Sequence, residues 1–328
     1  MLMTLKTSFS ETEGAETEMS AQEIVAEIKK CITDRDFIRA DELREKLMES
    51  MALKESIEAA ELIEEARLAS MDKEHQAVWN ELYEQLTPEE ATVFYYSLKE
   101  TVIPPKTVLI RQKQLSNQLF FVEEGQLAVF FRKDKQNHLV LQLAKGTFIG
   151  EDTFFGMSVC TSNIVSRSEV RLKTLDKAAI NAWDEKTPGL YAKLESYCLK
   201  NSLYEEAFEQ KIKDLNRFER IDVQGQVTCT ILTPSGEKSS KQFRAELADI
   251  SRGGACFFIK ASKKDAVRPL LGRSLEMALL IKNDGRNIQL TATGRVVKIN
   301  FHMETDYSLH IQFAKILEAD KLKGLDES

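Results

Sequence analysis

The chain has 328 residues, of which 43% are hydrophobic and 30% are charged, and its formal net charge is −7. This length and composition predict a globular protein of two or three domains. The acidic balance argues against a broad basic surface for nucleic acid. No apolar run reaches the roughly 18 residues of a membrane-spanning helix. The polar, acidic stretch 1–20 predicts neither a signal peptide nor a lipid anchor.

The 5 cysteines and 4 histidines are scattered and show no metal-ligand spacing. Such cysteines are typical of reduced, buried thiols in a cytoplasmic protein. We expect the histidines to be surface or strand residues rather than ligands. The sequence therefore predicts no metal site.

Residues 1–19 are rich in Thr, Ser and Glu and predict a disordered tail. Residues 20–86 follow a helical pattern, and no glycine or proline interrupts residues 15–87. Ser20-Ala-Gln-Glu23 has the form of a capping box. In the third helical stretch, Ile57, Ala60 and Ile63 fall on one stripe. These features predict a small helical hairpin or bundle, and its role is not encoded in any motif.

Residues 87–187 begin with a helix opened by Thr87 and Pro88, and then the hydrophobic period changes to two. The alternation predicts short antiparallel strands, with turns at Gly125 and Gly146. The predicted strands of this segment lead to the sequence Phe148-Ile-Gly150-Glu151. Together with Glu124-Gly125, this piece resembles the cyclic-nucleotide-binding domain of the catabolite-activator and protein-kinase regulatory families. The resemblance implies a jelly-roll barrel with flanking helices.

In that family a short helix after Gly-Glu cradles the cyclic phosphate, and the Glu binds the ribose 2′-hydroxyl. An Arg about ten residues later, followed by Ser or Thr, neutralises the phosphate. The resemblance therefore assigns a cyclic-nucleotide site to Gly150, Glu151, Thr161 and Ser162. Thr161 stands at the arginine position, so a cyclic monophosphate would be buried without its cation, which is costly. We expect a domain kept for structure, dimerisation or another ligand, with a cyclic AMP sensor as the alternative.

Residues 188–215 predict a connecting helix that starts at Pro188 and joins the next domain without a flexible linker. Its apolar stripe holds Asn201 in register with Leu190, Leu194, Tyr197, Tyr204 and Phe208. The equivalent helix of catabolite activators pairs two subunits, and an Asn in such a seam can fix register. A homodimer is one interpretation, and packing of the stripe on its own barrel is the other. The all-β sequence that follows argues against a DNA-binding transcription factor.

Residues 216–317 predict six strands, followed by a short polar tail over 318–328. A tight polar turn, Asp249-Ile-Ser251-Arg-Gly253-Gly254, lies between two of the strands. An arm, Asn216-Arg217-Phe-Glu-Arg220, precedes the first strand. A paired-arginine arm with an Asp-x-Ser-x-x-Gly turn resembles the PilZ domain, and the likeness covers residues 213–317. That family is a six-stranded β-barrel that binds the bacterial second messenger cyclic di-GMP.

The PilZ resemblance implies a cyclic di-GMP site at Asn216, Arg217, Arg220, Asp249, Ser251, Gly253 and Gly254. Arginine forks bind phosphate bidentately and stack on purines, and an Asp accepts hydrogen bonds from a guanine edge. Two adjacent glycines allow positive φ and close approach of a ligand. The family pattern is Arg-x-x-x-Arg, and here its first arginine is replaced by Asn216.

The sequence thus predicts a multidomain α+β protein with N-terminal helices, a jelly-roll domain, a connecting helix and a PilZ barrel. Paired catalytic carboxylates, Ser/His/Asp or Cys/His sets, a Walker loop and zinc spacing are all lacking, which argues against an enzyme. We expect a non-catalytic, cytoplasmic receptor of cyclic di-GMP that uses no cofactor and acts on a protein partner. The alternatives are a scaffold with degenerate nucleotide sites and a cyclic AMP sensor.

Overall fold

The computed structural model describes residues 19–133, 136–183, 187–203, 218–283, 286–302, 305–322 and 325. The chain divides into two compact units, Met1–Lys73 and Glu74–Ser328. None of the described helices is long and apolar enough to cross a membrane.

The first unit contains three helices, α1 (Ala21–Thr33), α2 (Phe37–Glu49) and α3 (Leu53–Ala69). The predicted capping box is present, because the Ser20 and Glu23 side chains each accept a hydrogen bond from the other residue's backbone N–H. The three helices enclose one apolar core. The predicted stripe of α3 is wrong for Ile57, which is 63% exposed, and right for Ile63, which is buried together with Ala59.

The second unit begins with three short helices, α4 (Lys73–Val78), α5 (Asn80–Tyr83) and α6 (Pro88–Tyr96). His75 on α4 is fully buried, so the expectation of a surface or strand position is wrong for it. Its Nδ1 atom lies 2.8 Å from Glu123 Oε1, and Trp79 Nε1 donates to the same oxygen at 2.9 Å. A buried carboxylate that has lost its water needs such partners, which explains the pairing.

The jelly roll consists of two four-stranded antiparallel sheets. One has the order β1-β9-β3-β6, from β1 (Leu98–Ile103), β9 (Val170–Asp176), β3 (Gln118–Glu124) and β6 (Phe148–Ile149). The other has the order β2-β8-β4-β5, from β2 (Val108–Ile110), β8 (Asn163–Ser166), β4 (Gln126–Lys133) and β5 (Gln136–Ala144). Apolar side chains of both sheets fill the space between them. The helix α7 (Glu151–Phe154) follows β6, and a 3-10 helix (Lys177–Ala182) follows β9.

The predicted connecting helix over 188–215 is shorter in the part of it that is described. Helix α8 spans Leu190–Lys200 and ends at Asn201, whose Nδ2 donates to the Tyr197 carbonyl at 3.0 Å. The Asn201 backbone N–H donates to the same carbonyl at 3.1 Å, so the last helical hydrogen bond of α8 is kept. Leu190, Leu194 and Tyr197 are buried in the aromatic core of the jelly roll. These side chains pack against their own chain, and the homodimer stays a prediction; Tyr204 and Phe208 lie outside the described residues.

The C-terminal domain is a closed six-stranded antiparallel barrel, as predicted. Its order is β13-β10-β11-β12-β15-β14, and β14 pairs back with β13. The strands are β10 (Ile221–Leu232), β11 (Lys238–Ile250), β12 (Gly254–Lys260), β13 (Ser274–Asn283), β14 (Arg286–Phe301) and β15 (Asp306–Phe313). Helix α9 (Lys264–Val267) and a 3-10 helix (Arg268–Leu270) connect β12 to β13.

The segment predicted as a polar tail, 318–328, contributes to the barrel instead. It forms a 3-10 helix at Ala319–Lys321, and Leu322 and Leu325 are buried in the barrel core. Burying a leucine side chain is worth about 1.5–3 kcal/mol, enough to hold a short segment on the surface of a barrel.

One strand of the jelly-roll sequence belongs to the barrel. Strand β7 (Met157–Ser158) adds to the edge of the barrel sheet by pairing antiparallel with Ile299 and Lys298 of β14. The next residue extends the ladder, since the Val159 N–H donates to the Val297 carbonyl at 2.9 Å. The loop that follows α7 of the jelly roll is therefore hydrogen-bonded to the C-terminal domain.

Candidate nucleotide-binding sites

The turn between β11 and β12 is fixed by its own hydrogen bonds. The Ser251 N–H donates to the Gly254 carbonyl at 2.8 Å, and the Gly253 N–H donates to Ser251 Oγ at 3.3 Å. Ser251 is only 5% exposed. The serine thus holds the turn in one conformation and presents backbone groups, with little of its own side chain, to the surroundings.

The glycines of this turn serve close packing, and the expectation of positive φ is wrong for both of them. A Cβ on Gly254 would lie 2.2 Å from the carbonyl oxygen of Ile311 on the neighbouring strand. At Gly253 it would lie 3.3 Å from the Phe218 ring. Gly254 is therefore required because a strand, and not a ligand, approaches its backbone.

The arm and the turn meet through one ion pair. Arg220 Nη1 donates to Asp249 Oδ1, and the two side chains are 48% and 21% exposed. This contact joins two of the predicted ligand residues that are 29 positions apart. Asn216 and Arg217, the other predicted arm residues, lie outside the described residues.

Arg252 is a structural residue of the site that the sequence analysis did not single out. Its guanidinium lies 4.8 Å from the centroid of the Phe218 ring, a cation–π distance. Its Nε donates to the Leu317 carbonyl at 2.9 Å. Arg252 therefore ties the arm and the turn to the segment after β15. The arginine sits inside the Asp-x-Ser-x-x-Gly pattern at a position where the pattern is silent, so spacing alone did not identify it.

A cleft of about 460 Å³ opens beside the turn. Barrel residues on its wall include Arg220, Ser251, Gly253, Gly254 and His310, whereas Asp249 is not among them. The opposite wall comes from the jelly roll and includes Lys113, Arg132 and Thr161. None of the described residues that line the cleft carries a carboxylate, and three of them are cations. An anion is the ligand that this wall favours.

His310 on β15 lies in the cleft as a neutral side chain. Burial, followed by the charges of Arg220 and Lys298, lowers the pKa of the His310 imidazole below its ordinary value of 6.5. Its Nε2 lies 3.0 Å from Asn300 Nδ2 and 3.3 Å from Ser308 Oγ. Since the amide nitrogen of Asn300 can only donate, Nε2 is the acceptor and the proton is on Nδ1.

The second set of predicted residues surrounds a much smaller space. Gly150, Glu151, Thr161 and Ser162 line one cavity, but its volume is only about 10 Å³. That volume holds about one water molecule, whereas sites for small ligands measure about 300–1,000 Å³. The jelly roll thus brings the family's site residues together without leaving room for a nucleotide in this conformation.

Glu151, the residue matched to ribose binding, is engaged from within the chain. It is 6% exposed, and Ser202 Oγ donates to its Oε1 at 2.6 Å. Gly150 before it has a φ of +97°, and a Cβ there would lie 2.5 Å from the Gln118 carbonyl. The Gly150-Glu151 pair therefore forms a left-handed turn packed against Gln118, and Ser202, after the end of α8, binds the carboxylate.

The described residues give no support for a reactive thiol or for a metal site. The cysteines are all unpaired and buried, as predicted. Burial raises the pKa of Cys160 to about 12 and that of Cys229 also to about 12, so neither is a thiolate near neutral pH. Within the described part of the chain, no group of three or more His, Cys, Asp or Glu side chains is placed to hold a metal ion.

Comparison with known proteins agrees with both resemblances. The family model of the cyclic nucleotide-binding domain matches residues 100–185, and the family model of the PilZ domain matches residues 214–325. The two matched regions support a regulator of the cyclic-nucleotide or cyclic di-GMP sensing class. The chain joins a cyclic nucleotide-binding domain to a C-terminal PilZ domain, the two families predicted from the sequence. No curated protein matches the chain.

Several solved structures of cyclic nucleotide-binding proteins are similar to part of this chain. A cyclic nucleotide-binding domain from Methylobacillus flagellatus shares 15% identity at a TM-score of 0.35, covering 39% of this chain and 74% of that chain. A cyclic nucleotide-binding-like protein from Brucella abortus shares 16% at 0.32, covering 35% and 100%. The Thermus thermophilus catabolite activator protein shares 20% at 0.35, covering 40% and 62%.

Proposed function

We propose that this protein is a cytoplasmic, non-catalytic receptor of cyclic di-GMP that binds the dinucleotide in the cleft beside the Asp249–Gly254 turn. The observation that carries the proposal is the wall of that cleft, with three cations and no carboxylate among its described residues. Cyclic di-GMP is an anion through its phosphodiesters, and arginine side chains both pair with phosphate and stack on purines. The volume of about 460 Å³ falls within the range of small-ligand sites.

The cyclic nucleotide-binding domain acts in this proposal as a structural and transmitting element. The alternative of a cyclic AMP sensor is disfavoured by the cavity of about 10 Å³ and by the hydrogen bond from Ser202 to Glu151. A bound cyclic monophosphate would also lack the arginine that Thr161 replaces, and an uncompensated buried charge is costly.

Dinucleotide binding is coupled, in the proposal, to the position of the two barrels and so to a protein partner. The route is the segment 157–161, because its first residues pair with β14 while Cys160 and Thr161 line both the small cavity and the cleft. A ligand shifts such an equilibrium only through different affinities for the two arrangements. Charge-assisted bonds to arm and turn supply a difference of a few kcal/mol.

Titration calorimetry of the full chain with cyclic di-GMP and, separately, with cyclic AMP tests the binding proposal. We expect saturable binding of cyclic di-GMP and none of cyclic AMP. Absence of cyclic di-GMP binding would leave the scaffold with degenerate sites as the better account.

Hydrogen exchange and small-angle scattering, with and without cyclic di-GMP, test the coupling. We expect added protection over residues 213–222 and a changed scattering profile, with little change inside either barrel. Binding without either effect would show that the site operates but that the coupling does not.

A further inference from the structure

We infer that the jelly-roll domain supplies part of the dinucleotide site, with Lys113 and Arg132 pairing with the phosphate charge that the arm leaves unmatched at Asn216. The inference rests on the proposed function and deepens it. It assigns a binding role to two cations outside the PilZ domain, on a domain whose own nucleotide cavity has closed to about 10 Å³.

Lys113 is held at the cleft by backbone contacts with the segment that joins the barrel. Its N–H donates to the Cys160 carbonyl at 2.7 Å, and the Cys160 N–H donates to the Gln114 carbonyl at 2.8 Å. Its φ is +70°, a left-handed conformation that non-glycine residues adopt uncommonly. This backbone pairing fixes where the exposed lysine stem leaves the turn, so only the side chain has to be ordered for its ammonium group to meet an anion.

Arg132 is positioned in a similar way from the end of β4. Its N–H donates to Gln112 Oε1 at 2.9 Å, and the Gln112 N–H donates to Asn163 Oδ1 at 3.1 Å. Gln112 therefore connects the arginine to the strand that follows the 157–161 segment. The Arg132 side chain is exposed, and no ion pair joins it or Lys113 to another described residue. Their charges are available to a ligand.

The pairing of segment 157–159 with β14 brings Lys113 and Arg132 to the turn between β11 and β12. Ser158 pairs with Lys298 in the shared sheet, and the hydrogen bond from Val159 to Val297 continues the ladder towards Cys160. Lys113 is bonded to Cys160 directly, so the position of its turn is set by the barrel strand. A dinucleotide in the cleft would contact Arg220 of the barrel and Lys113 and Arg132 of the jelly roll. It would therefore hold the two domains together beside the paired strands β7 and β14.

Titration of the full-length chain with cyclic di-GMP, using charge-removing variants, tests this inference. The variants are Arg132→Ala, Lys113→Ala and their combination. Matched controls are Arg167→Ala and Lys145→Ala, which remove exposed jelly-roll cations that do not line the cleft. For partly exposed charge pairs we expect each single change to weaken binding about fivefold and the double change roughly twentyfold. Arg132→Lys should retain more affinity than Arg132→Ala.

A second readout separates ligand contact from stability. In the wild type, cyclic di-GMP should slow amide exchange over residues 157–161, and the double variant should lose most of that protection at saturating ligand. Melting temperatures without ligand should be alike in all variants.

The outcomes are distinguishable from failure of the proposed function. If the wild type does not bind cyclic di-GMP, the proposed function fails and this inference with it. If the wild type binds and Arg220→Ala weakens binding, but the double variant binds like the two controls, the receptor function stands and the shared site is overturned.

Discussion

Arg220 offers the sharpest test of the candidate site, because its side chain both lines the cleft and pairs with Asp249. In Arg220→Ala the ligand loses a charge-assisted hydrogen bond, which is worth about 1.5–3 kcal/mol. Since about 1.4 kcal/mol corresponds to a tenfold change in dissociation constant, cyclic di-GMP should bind roughly ten- to a hundredfold more weakly. Folding should change by at most about 1 kcal/mol, because the Arg220 side chain is 48% exposed.

The same ion pair predicts a coupling between two substitutions. Without Arg220, the Asp249 carboxylate is left unpaired at the edge of an anion site and repels phosphate. Asp249→Ala should therefore cost less affinity in the Arg220→Ala background than in the wild type. Equal costs in the two backgrounds would mean that the ion pair has no part in binding.

The assay is calorimetric titration of the full chain, with Arg268→Ala as the matched control. Arg268 is an exposed arginine of the same barrel that does not line the cleft, so its removal changes net charge equally. Circular dichroism and urea denaturation check that each variant is folded. An unchanged dissociation constant in folded Arg220→Ala would refute the assignment of this cleft.

Three further predictions follow from the described contacts. Cyclic AMP should give no saturable binding to the full chain, because the cavity beside Gly150 and Glu151 measures only about 10 Å³. Thr161→Arg alone should not restore binding. A micromolar dissociation constant for the wild type or for this variant would contradict the prediction. Glu123→Ala should lower the free energy of unfolding by about 1–3 kcal/mol, since it removes the hydrogen-bond partner of buried His75 and Trp79. Glu124→Ala, whose carboxylate is 59% exposed, should cost at most about 1 kcal/mol in the same urea denaturation. Burial, with nearby cations, lowers the folded-state pKa of His310, so the unfolded state binds a proton there more readily. The free energy of unfolding should therefore be unaffected by His310 above about pH 6.5 and should fall as pH drops below that value through the folded-state pKa. His310→Gln should flatten that part of the pH profile, and an identical profile would refute the effect.

Local patterns predicted the fold well where neighbouring residues decide the structure. Alternating side chains predicted all six strands of the barrel, since period-two burial is written into each strand separately. The capping box at Ser20 forms as its spacing predicts, and Thr87 caps the helix that it was expected to open. The turn beginning at Asp249 and the arm ending at Arg220 were recognised as a pair because both belong to a short motif.

Local patterns failed where a contact joins distant segments. The unbroken helical pattern over 188–215 does not reveal the end of α8 at Asn201, where the next residue, Ser202, donates to Glu151 of the jelly roll, 51 positions away. The pairing of β7 with β14 links residues about 140 positions apart through backbone groups, which carry no residue-specific signal.

The sequence by itself determined which two families are joined, which strands form, and that Thr161 and Asn216 depart from the family patterns. Only the tertiary structure decided that the first nucleotide cavity is closed and that Lys113 and Arg132 line the cleft of the second domain. A sequence does not show whether an exposed cation faces water or a ligand. Their surroundings are set by the shared sheet between the domains, and that geometry arises only when the chain has folded.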